Sequence, residues 1–209
     1  MDRREYKTIT LGQKILKFNV PKEIIETINN AYENNNLSEH NNYLAGKIVN
    51  QHRITEYLPD TVKDYFTGCF QLYLLENSFV QLPFKVKLLD AWINEMKENE
   101  YNPMHTHRGI SYIGLSSVLC LKVPNTYGNE YSTEHSPCNG VLDIIGNNGG
   151  MFANNQFRQR LSVGDLFIFP YDINHGVYPF NNTKEIRRTM SFNCDLINNF
   201  NKSKEFNND

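Results

Sequence analysis

Three of the six histidines are spaced for metal chemistry. His105-Thr106-His107 forms a close pair, and His175 follows about seventy residues later, just past Phe169-Pro170 and at the start of a strand-like segment. In extended chain, residues i and i+2 point to one face, so both imidazoles of the pair can converge on one ion. A close pair with a distant third ligand holds a metal while leaving coordination positions open for substrate. By itself the His-x-His pair also fits two half-exposed loop histidines. The strand-Pro-x4-His pattern and an arginine downstream add weight to the metal reading. That arginine lies on the strand Ile186 to Cys194. Alternation puts Arg187, Thr189, Ser191 and Asn193 on one face and Arg188, Met190, Phe192 and Cys194 on the other. Such a polar row suits a barrel interior that binds something polar. Arg187 offers a planar fork for a carboxylate, with the Thr189 hydroxyl two residues away; the competing assignment points Arg188 inward instead.

The first eighty residues, which must frame these groups, read as mainly helical. Pro21-Lys22-Glu23 opens a segment in which Ile24, Ile25, Ile28, Ala31 and Tyr32 recur at helical spacing, and Asn34-Asn35-Asn36 stops it. A second helix is expected after Pro59, with Asp60 capping and Val62, Tyr65, Phe66, Cys69, Leu72 and Tyr73 on one side. From Phe84 the texture is β: Phe84 to Leu88, Ala91 to Met96, Leu115 to Val123, Val141 to Ile145, Asp165 to Pro170, His175 to Tyr178, and Ile186 to Cys194. Asn181-Asn182 reads as a hairpin turn between the last two. Short strands without interleaved helices predict an antiparallel sandwich or small barrel carrying helices outside. The expected division is a helical region over 1–80 packed on a β-core over 81–197, with a polar tail over 198–209, in one domain overall.

The 209 residues include 40% hydrophobic side chains, enough for a buried core, which excludes wholesale disorder. A net charge of −2, from 21 basic against 23 acidic residues, gives no electrostatic reason to expect nucleic acid or an anionic membrane as partner. No apolar run approaches the roughly 20 residues of a spanning helix, and the polar N-terminus does not read as a signal peptide. Cys69, Cys120, Cys138 and Cys194 are scattered like reduced thiols, so an intracellular, cytoplasmic protein is expected. About one residue in seven is asparagine. Most mark turns and helix stops, but Asn94, Asn102 and Asn193 fall on or beside strands leading to the histidines, where a buried amide needs a partner.

With these residues in view, the chain resembles the Fe(II)- and 2-oxoglutarate-dependent dioxygenases, and among them the small microbial and phage-type members related to prolyl hydroxylases. The likeness is carried by Trp92 to Met96, Glu100 to His107, Leu115 to Pro124, Gly164 to Pro170 with His175, and Arg187 to Asn193, together with Leu44-Ala45-Gly46. It covers roughly residues 40 to 195. It implies a mainly β fold, a double-stranded β-helix (jelly-roll) core flanked by the N-terminal helices. It also implies iron(II) on His105, His107 and His175 as the catalytic metal site, with 2-oxoglutarate as co-substrate and molecular oxygen. Arg187 and Thr189 then clamp the co-substrate's far carboxylate, and Asn94 joins them as a cofactor-binding candidate. The family pattern has His-x-Asp/Glu, so His107 departs from it and leaves the site one negative charge short; imidazole still suits Fe(II). In another register His107 leads and Gly109 leaves the carboxylate position vacant, as in halogenating relatives. A tyrosine that often contacts 2-oxoglutarate would fall near Leu119-Cys120, so that contact is missing or supplied elsewhere.

The implied reaction hydroxylates a substrate while releasing succinate and CO2. The first expectation for that substrate is a prolyl or other peptide residue, with a small molecule as the alternative. Two rivals stand beside this reading. A metal cupin also uses His-x-His and a later His, but its motif usually continues with a Glu, where this chain has Arg108-Gly109-Ile110-Ser111-Tyr112. An inactive, ligand-binding jelly roll is the other, kept open by His107. The remaining histidines get ordinary readings: His40 and His52 as surface residues of the helical part, His135 in a polar loop. Trp92 reads as core, Arg158 and Arg160 as a solvated face, and the loop Tyr127 to Asn139, with Tyr131, His135 and Cys138, as a candidate lid.

Overall fold

The computed structural model describes residues 12–39, 46–77, 84–130 and 136–198. Helix α1 runs Lys22–Glu33, opened by Pro21, and buries Ile25 and Ile28. The asparagine run ends it chemically: the amides of Asn34 and Asn35 donate to the carbonyls of Asn30 and Ala31, satisfying acceptors left by the last turn. Helix α2 runs Asp60–Glu76. Asp60 is its first helical residue rather than its cap; Pro59 holds the capping position and makes no side-chain bond. The buried stripe is Val62, Phe66, Cys69, Phe70, Tyr73 and Leu74, while Leu72 is exposed. The stripe turns slowly around the axis, so Phe70 and Leu74 replace Leu72 in the core.

Among the described residues, ten strands, all antiparallel to their neighbours, make two sheets. They are β1 Leu16–Asn19, β2 Asn50–Arg53, β3 Phe84–Met96, β4 Asn102–His105, β5 Gly114–Lys122, β6 Leu142–Ile145, β7 Gln156–Gln159, β8 Asp165–Pro170, β9 Asn174–Val177 and β10 Arg187–Asn198. The larger sheet is ordered β1-β8-β5-β10-β3-β2 and the smaller β4-β9-β6-β7. The region before residue 80 therefore contributes two strands to the larger sheet besides its helices. The segments Phe84–Leu88 and Ala91–Met96 are one continuous strand. Asn181-Asn182 is no hairpin: β9 pairs with β4 and β6, whereas β10 pairs with β3 and β5, so the chain crosses there between sheets.

Register fixes what each face of the larger sheet does. Ile93, Met190, Leu119 and Leu166 line up across four strands and belong to the core packed with α1 and α2. On the opposite face Gln51, Asn94, Thr189 and Cys120 form the corresponding row across β2, β3, β10 and β5. This architecture of two antiparallel sheets with helices on one outer face is a double-stranded β-helix.

Candidate metal centre

Strand β4 ends at His105, which is in register with His175 of β9, so both imidazoles leave the same face of the smaller sheet. His107 lies beyond the strand, in the loop that follows, with its backbone N–H donating to the Tyr171 carbonyl at 3.0 Å. The pair thus converges across a strand end rather than within extended chain. One ring nitrogen from each of the three lies within 4.8 Å of the other two. His107 Nε2 and His175 Nε2 are 3.1 Å apart. Two metal–nitrogen bonds of about 2.1 Å meeting at a right angle would separate their donor atoms by about 3.0 Å. The other ring nitrogens are occupied: His105 Nδ1 by the Pro103 carbonyl at 2.8 Å, His175 Nδ1 by the Ile173 carbonyl at 3.1 Å, and His107 Nδ1 by the Asn193 amide at 3.3 Å. Such second partners orient imidazoles for a metal.

Electrostatics keep the cluster neutral. Burial lowers the pKa of His105. Burial, reinforced by repulsion from His175 and His105, drives that of His107 well down. His175 falls to about 3 through burial and then His105. Neutral imidazoles at physiological pH have the lone pairs that a cation needs.

The histidines open onto a cavity of about 280 Å³ between the sheets, lined also by Trp92, Asn94, Asn102, Arg187, Thr189 and Ser191. The alternation on β10 holds: Arg187 and Thr189 face this cavity, and Arg188 points to the helices. Arg187 is only 2% exposed, and its Nε and Nη2 are buried with no hydrogen-bond partner. No aspartate or glutamate lines the cavity among the described residues. Asn94 lines it too, its Oδ1 accepting from Gln51 Nε2 at 2.9 Å. A buried guanidinium with two unpartnered nitrogens, lining the same cavity as a three-imidazole cluster, fits an anionic organic ligand chelating a cation.

The sequence names Tyr127, on the connection after β5, only as the start of a candidate lid and not beside Arg187. Its hydroxyl is buried beside Arg187; burial raises its pKa, and the Arg187 charge opposes that rise. Its ring packs edge-on against Phe180 at 5.6 Å and under Arg160 at 5.1 Å. A side chain at Gly140, whose φ is +68°, would run into that ring. Periodicity gives no signal for such a residue, because only the chain's return places it. Trp92 is both core and cavity wall, with its ring 5.8 Å from that of His107.

Other residues fall elsewhere. His52 sits on β2, half-buried, with its ring nitrogen 3.4 Å from the Tyr32 hydroxyl, rather than on a helical surface. His40, Leu44, Ala45, Tyr131 and His135 lie outside the described residues. Arg158 and Arg160 are paired with Asp143 and Glu130. Gly109 abuts Asp195, which also accepts from the Ser111 N–H at 2.9 Å and the Tyr171 hydroxyl at 3.2 Å, tethering the loop that carries His107. All four cysteines are free, and three are buried.

Comparison with known proteins agrees with this geometry. Residues 90–193, from β3 to β10, match the family model described as "Putative 2OG-Fe(II) oxygenase". No curated protein matches the sequence. Among solved structures, the chain is similar to a Pseudomonas putida prolyl-4-hydroxylase, with 14% identity over 88% of this chain and 92% of that one at a TM-score of 0.57. It is also similar to the viral collagen prolyl hydroxylase of Paramecium Bursaria Chlorella virus-1 in its 2-oxoglutarate complex, with 12% identity over 87% and 96% at 0.54. HygX from Streptomyces hygroscopicus, with nickel and 2-oxoglutarate bound, is 10% identical over 88% and 82% at 0.55. The chain belongs to the 2OG-Fe(II) oxygenase superfamily, enzymes that use iron(II), 2-oxoglutarate and molecular oxygen.

Proposed function

We propose that this chain is a hydroxylase in which His105, His107 and His175 hold iron(II), Arg187 and Thr189 hold the distal carboxylate of 2-oxoglutarate, and the substrate is a prolyl or other peptide residue. The observation that carries the co-substrate reading is the buried guanidinium of Arg187, whose Nε and Nη2 have no hydrogen-bond partner, in a cavity lined by no carboxylate among the described residues. When bound, iron and 2-oxoglutarate supply the oxidising chemistry, releasing succinate and CO2 as one oxygen atom is placed on the substrate.

The chain's own residues bind, orient and exclude water. The Arg187 fork meets a carboxylate through two parallel N–H bonds, and the Thr189 hydroxyl donates a third. Tyr127 Oη, buried beside Arg187, is the further donor we assign to that carboxylate. Asn94 borders the same space, with its amide held by Gln51. Backbone carbonyls fix the rings of His105 and His175, and Trp92 closes the wall beside His107. Arg187 in a cavity that no acidic side chain lines among the described residues favours an anionic co-substrate over a cationic one. The prolyl preference leans on the similar structures: one is a prolyl hydroxylase in complex with a peptide, while HygX is described with hygromycin B, which keeps a small molecule as the second choice. The reading carries a cytoplasmic setting with it, where iron(II) and buried thiols keep their reduced state.

Anaerobic addition of Fe(II) and 2-oxoglutarate should give a weak visible charge-transfer band, absent in Arg187→Ala. Iron binding without the band in the wild type would overturn the co-substrate assignment. Succinate release on prolyl peptides, compared with free proline, tests the substrate class; equal release on both would sink the peptide preference.

A further inference from the structure

We propose that the substrate is an acidic, extended peptide that adds a strand to the open edge of β3, sets its carboxylates on Lys85, Lys87 and Arg108, and so brings its target residue to the cavity mouth. The proposal rests on the hydroxylase reading above and names the kind of peptide. The edge is open for a topological reason. β2 pairs with β3 only from Trp92 to Glu95, and beyond it Ile54 and Thr55 occupy the backbone of Ala91. From Phe84 to Asp90 the side of β3 away from β10 has no partner strand among the described residues. At about 3.3 Å per residue, that edge is about 20 Å long. Unpaired N–H and C=O groups along such an edge are a template for another strand.

A shift in register aims the side chains. Ala91 lies opposite Phe192 and Leu88 opposite Cys194, so β3 advances three residues where β10 advances two. The extra residue reverses the alternation. Trp92 and Asn94 line the cavity. Beyond the shift Lys87 and Lys85 take that same face, opposite Asp195 and Ile197, while Phe84, Val86 and Leu88 pack against the core. Both lysines are exposed, and neither has an ion pair among the described residues. Asp195, across from Lys87, is buried and accepts from Ser111 and Tyr171 instead.

Arg108 joins the edge to the cavity. It lines the cavity, is exposed, and has no ion pair among the described residues. Its neighbour Gly109 packs so closely on Leu89 and Asp195 that a side chain there would strike both, which sets Arg108 beside the shift in β3. Arg108, Lys87 and Lys85 thus run from the metal centre outward along the strand. Asp90 and Glu56 nearby are already paired, both with Arg53. Lysines on an edge repel a second copy of the same edge and admit an acidic strand. Alternate side chains of an added strand face one way, so acidic residues at i and i+2 meet Lys85 and Lys87. At Ala91 the edge is taken, which turns the peptide onto the face of Trp92 and the histidines. A nucleic acid would use the cations but not the edge, whose bonds suit only another backbone of amides.

The test is fluorescence anisotropy on protein loaded with Zn(II) and 2-oxoglutarate, so that binding is read without turnover. The probes are labelled peptides of about twelve residues carrying Glu-Val-Glu and then a proline. Companion peptides replace Glu by Gln or by Lys, and one keeps Glu but is N-methylated along that backbone. The wild type should bind the Glu peptide about tenfold tighter than the Gln peptide, the size that two or three exposed ion pairs supply, and high salt should erase the margin. Lys85→Glu/Lys87→Glu should turn the preference toward the Lys peptide, Arg108→Ala should narrow it, and N-methylation should weaken binding about tenfold. The charge-reversed variant should keep the charge-transfer band of Fe(II) and 2-oxoglutarate. With that band present, three results each overturn this proposal alone: no difference between Glu and Gln peptides, an unchanged preference after charge reversal, or full binding of the N-methylated peptide. Tighter binding of a single-stranded oligonucleotide than of the Glu peptide does the same. A wild type without the band removes the co-substrate reading, and this inference with it.

Discussion

Adjacent arginines on β10 show how differently one strand can treat the same side chain. Arg188 points toward α1, where Glu33 takes its guanidinium at 2.7 Å, Asn29 accepts another bond at 2.8 Å and Tyr32 stacks beneath at 4.5 Å, while Glu95 of the neighbouring β3 takes it at 2.7 Å. Arg187 points the other way, and its buried Nε and Nη2 have no hydrogen-bond partner among the described residues. A buried cation with unpartnered nitrogens costs stability, and an arriving anion would offset that cost. Arg187→Met should therefore raise the stability of the ligand-free protein by about 1–3 kcal/mol while abolishing stabilisation by 2-oxoglutarate. A ligand-free melting temperature that falls instead would contradict the view of Arg187 as a waiting clamp. Arg188→Ala has the opposite sign: leaving Glu95 buried without its partner should cost about 3–5 kcal/mol in chemical denaturation. Tyr127→Phe removes the hydroxyl we propose as a carboxylate donor and should weaken 2-oxoglutarate binding about tenfold, as loss of a bond to a charged group does, with metal affinity unchanged.

At the scale of elements, what was legible in the sequence had local causes. Helix α1 was readable from Pro21, its apolar spacing and the asparagines that bond its last carbonyls. On β10 the period of two assigned Arg187 and Thr189 to one face and Met190 and Phe192 to the other, because one face meets a polar cavity and the other an apolar core. Pairing is not local, and there the sequence was silent. Nothing in His175 to Cys194 reveals that β9 and β10 belong to different sheets, and β2 is too polar to announce itself as a strand. For the same reason Tyr127 and Asn193 could not be given their partners: one waits on a loop's return, the other on an irregularity in register. The loop reading yields a prediction of its own. Gly140 stands just before β6 at φ +68°, with its open side filled by the Tyr127 ring. Gly140→Ala combines backbone strain of about 1–3 kcal/mol with displacement of that ring. It should reduce 2-oxoglutarate affinity as Tyr127→Phe does, yet leave Co(II) binding intact; loss of metal binding would mean that the loop supports the histidines as well.

At the scale of the whole molecule, the two sheets contribute unlike charges to one space: neutral imidazoles from the smaller sheet and its loop, and a cation from the larger. This couples metal, protons and folding. In the unfolded chain each histidine titrates near 6.5, whereas in the native cluster burial holds all three lower, with repulsion from neighbouring imidazoles adding to it at His107 and at His175, which falls to about 3. The folded pKa values are depressed, so below pH 6.5 the unfolded state binds protons that the native state refuses, and stability falls as the pH falls. At pH 5.5 each imidazole that stays neutral costs about 1.4 kcal/mol relative to neutral pH. A bound cation adds stability by mass action, and because it competes with the same protons its contribution also shrinks in acid. Urea denaturation of metal-free protein should accordingly give a midpoint that drops between pH 7.5 and 5.5, and a His105→Ala/His175→Ala double variant should flatten that drop. Saturating Zn(II) should raise the wild-type midpoint at pH 7.5 and raise it less at pH 5.5. A midpoint independent of pH in the metal-free wild type would mean that the imidazoles are not held neutral by burial, and would remove the electrostatic basis for a preformed metal site.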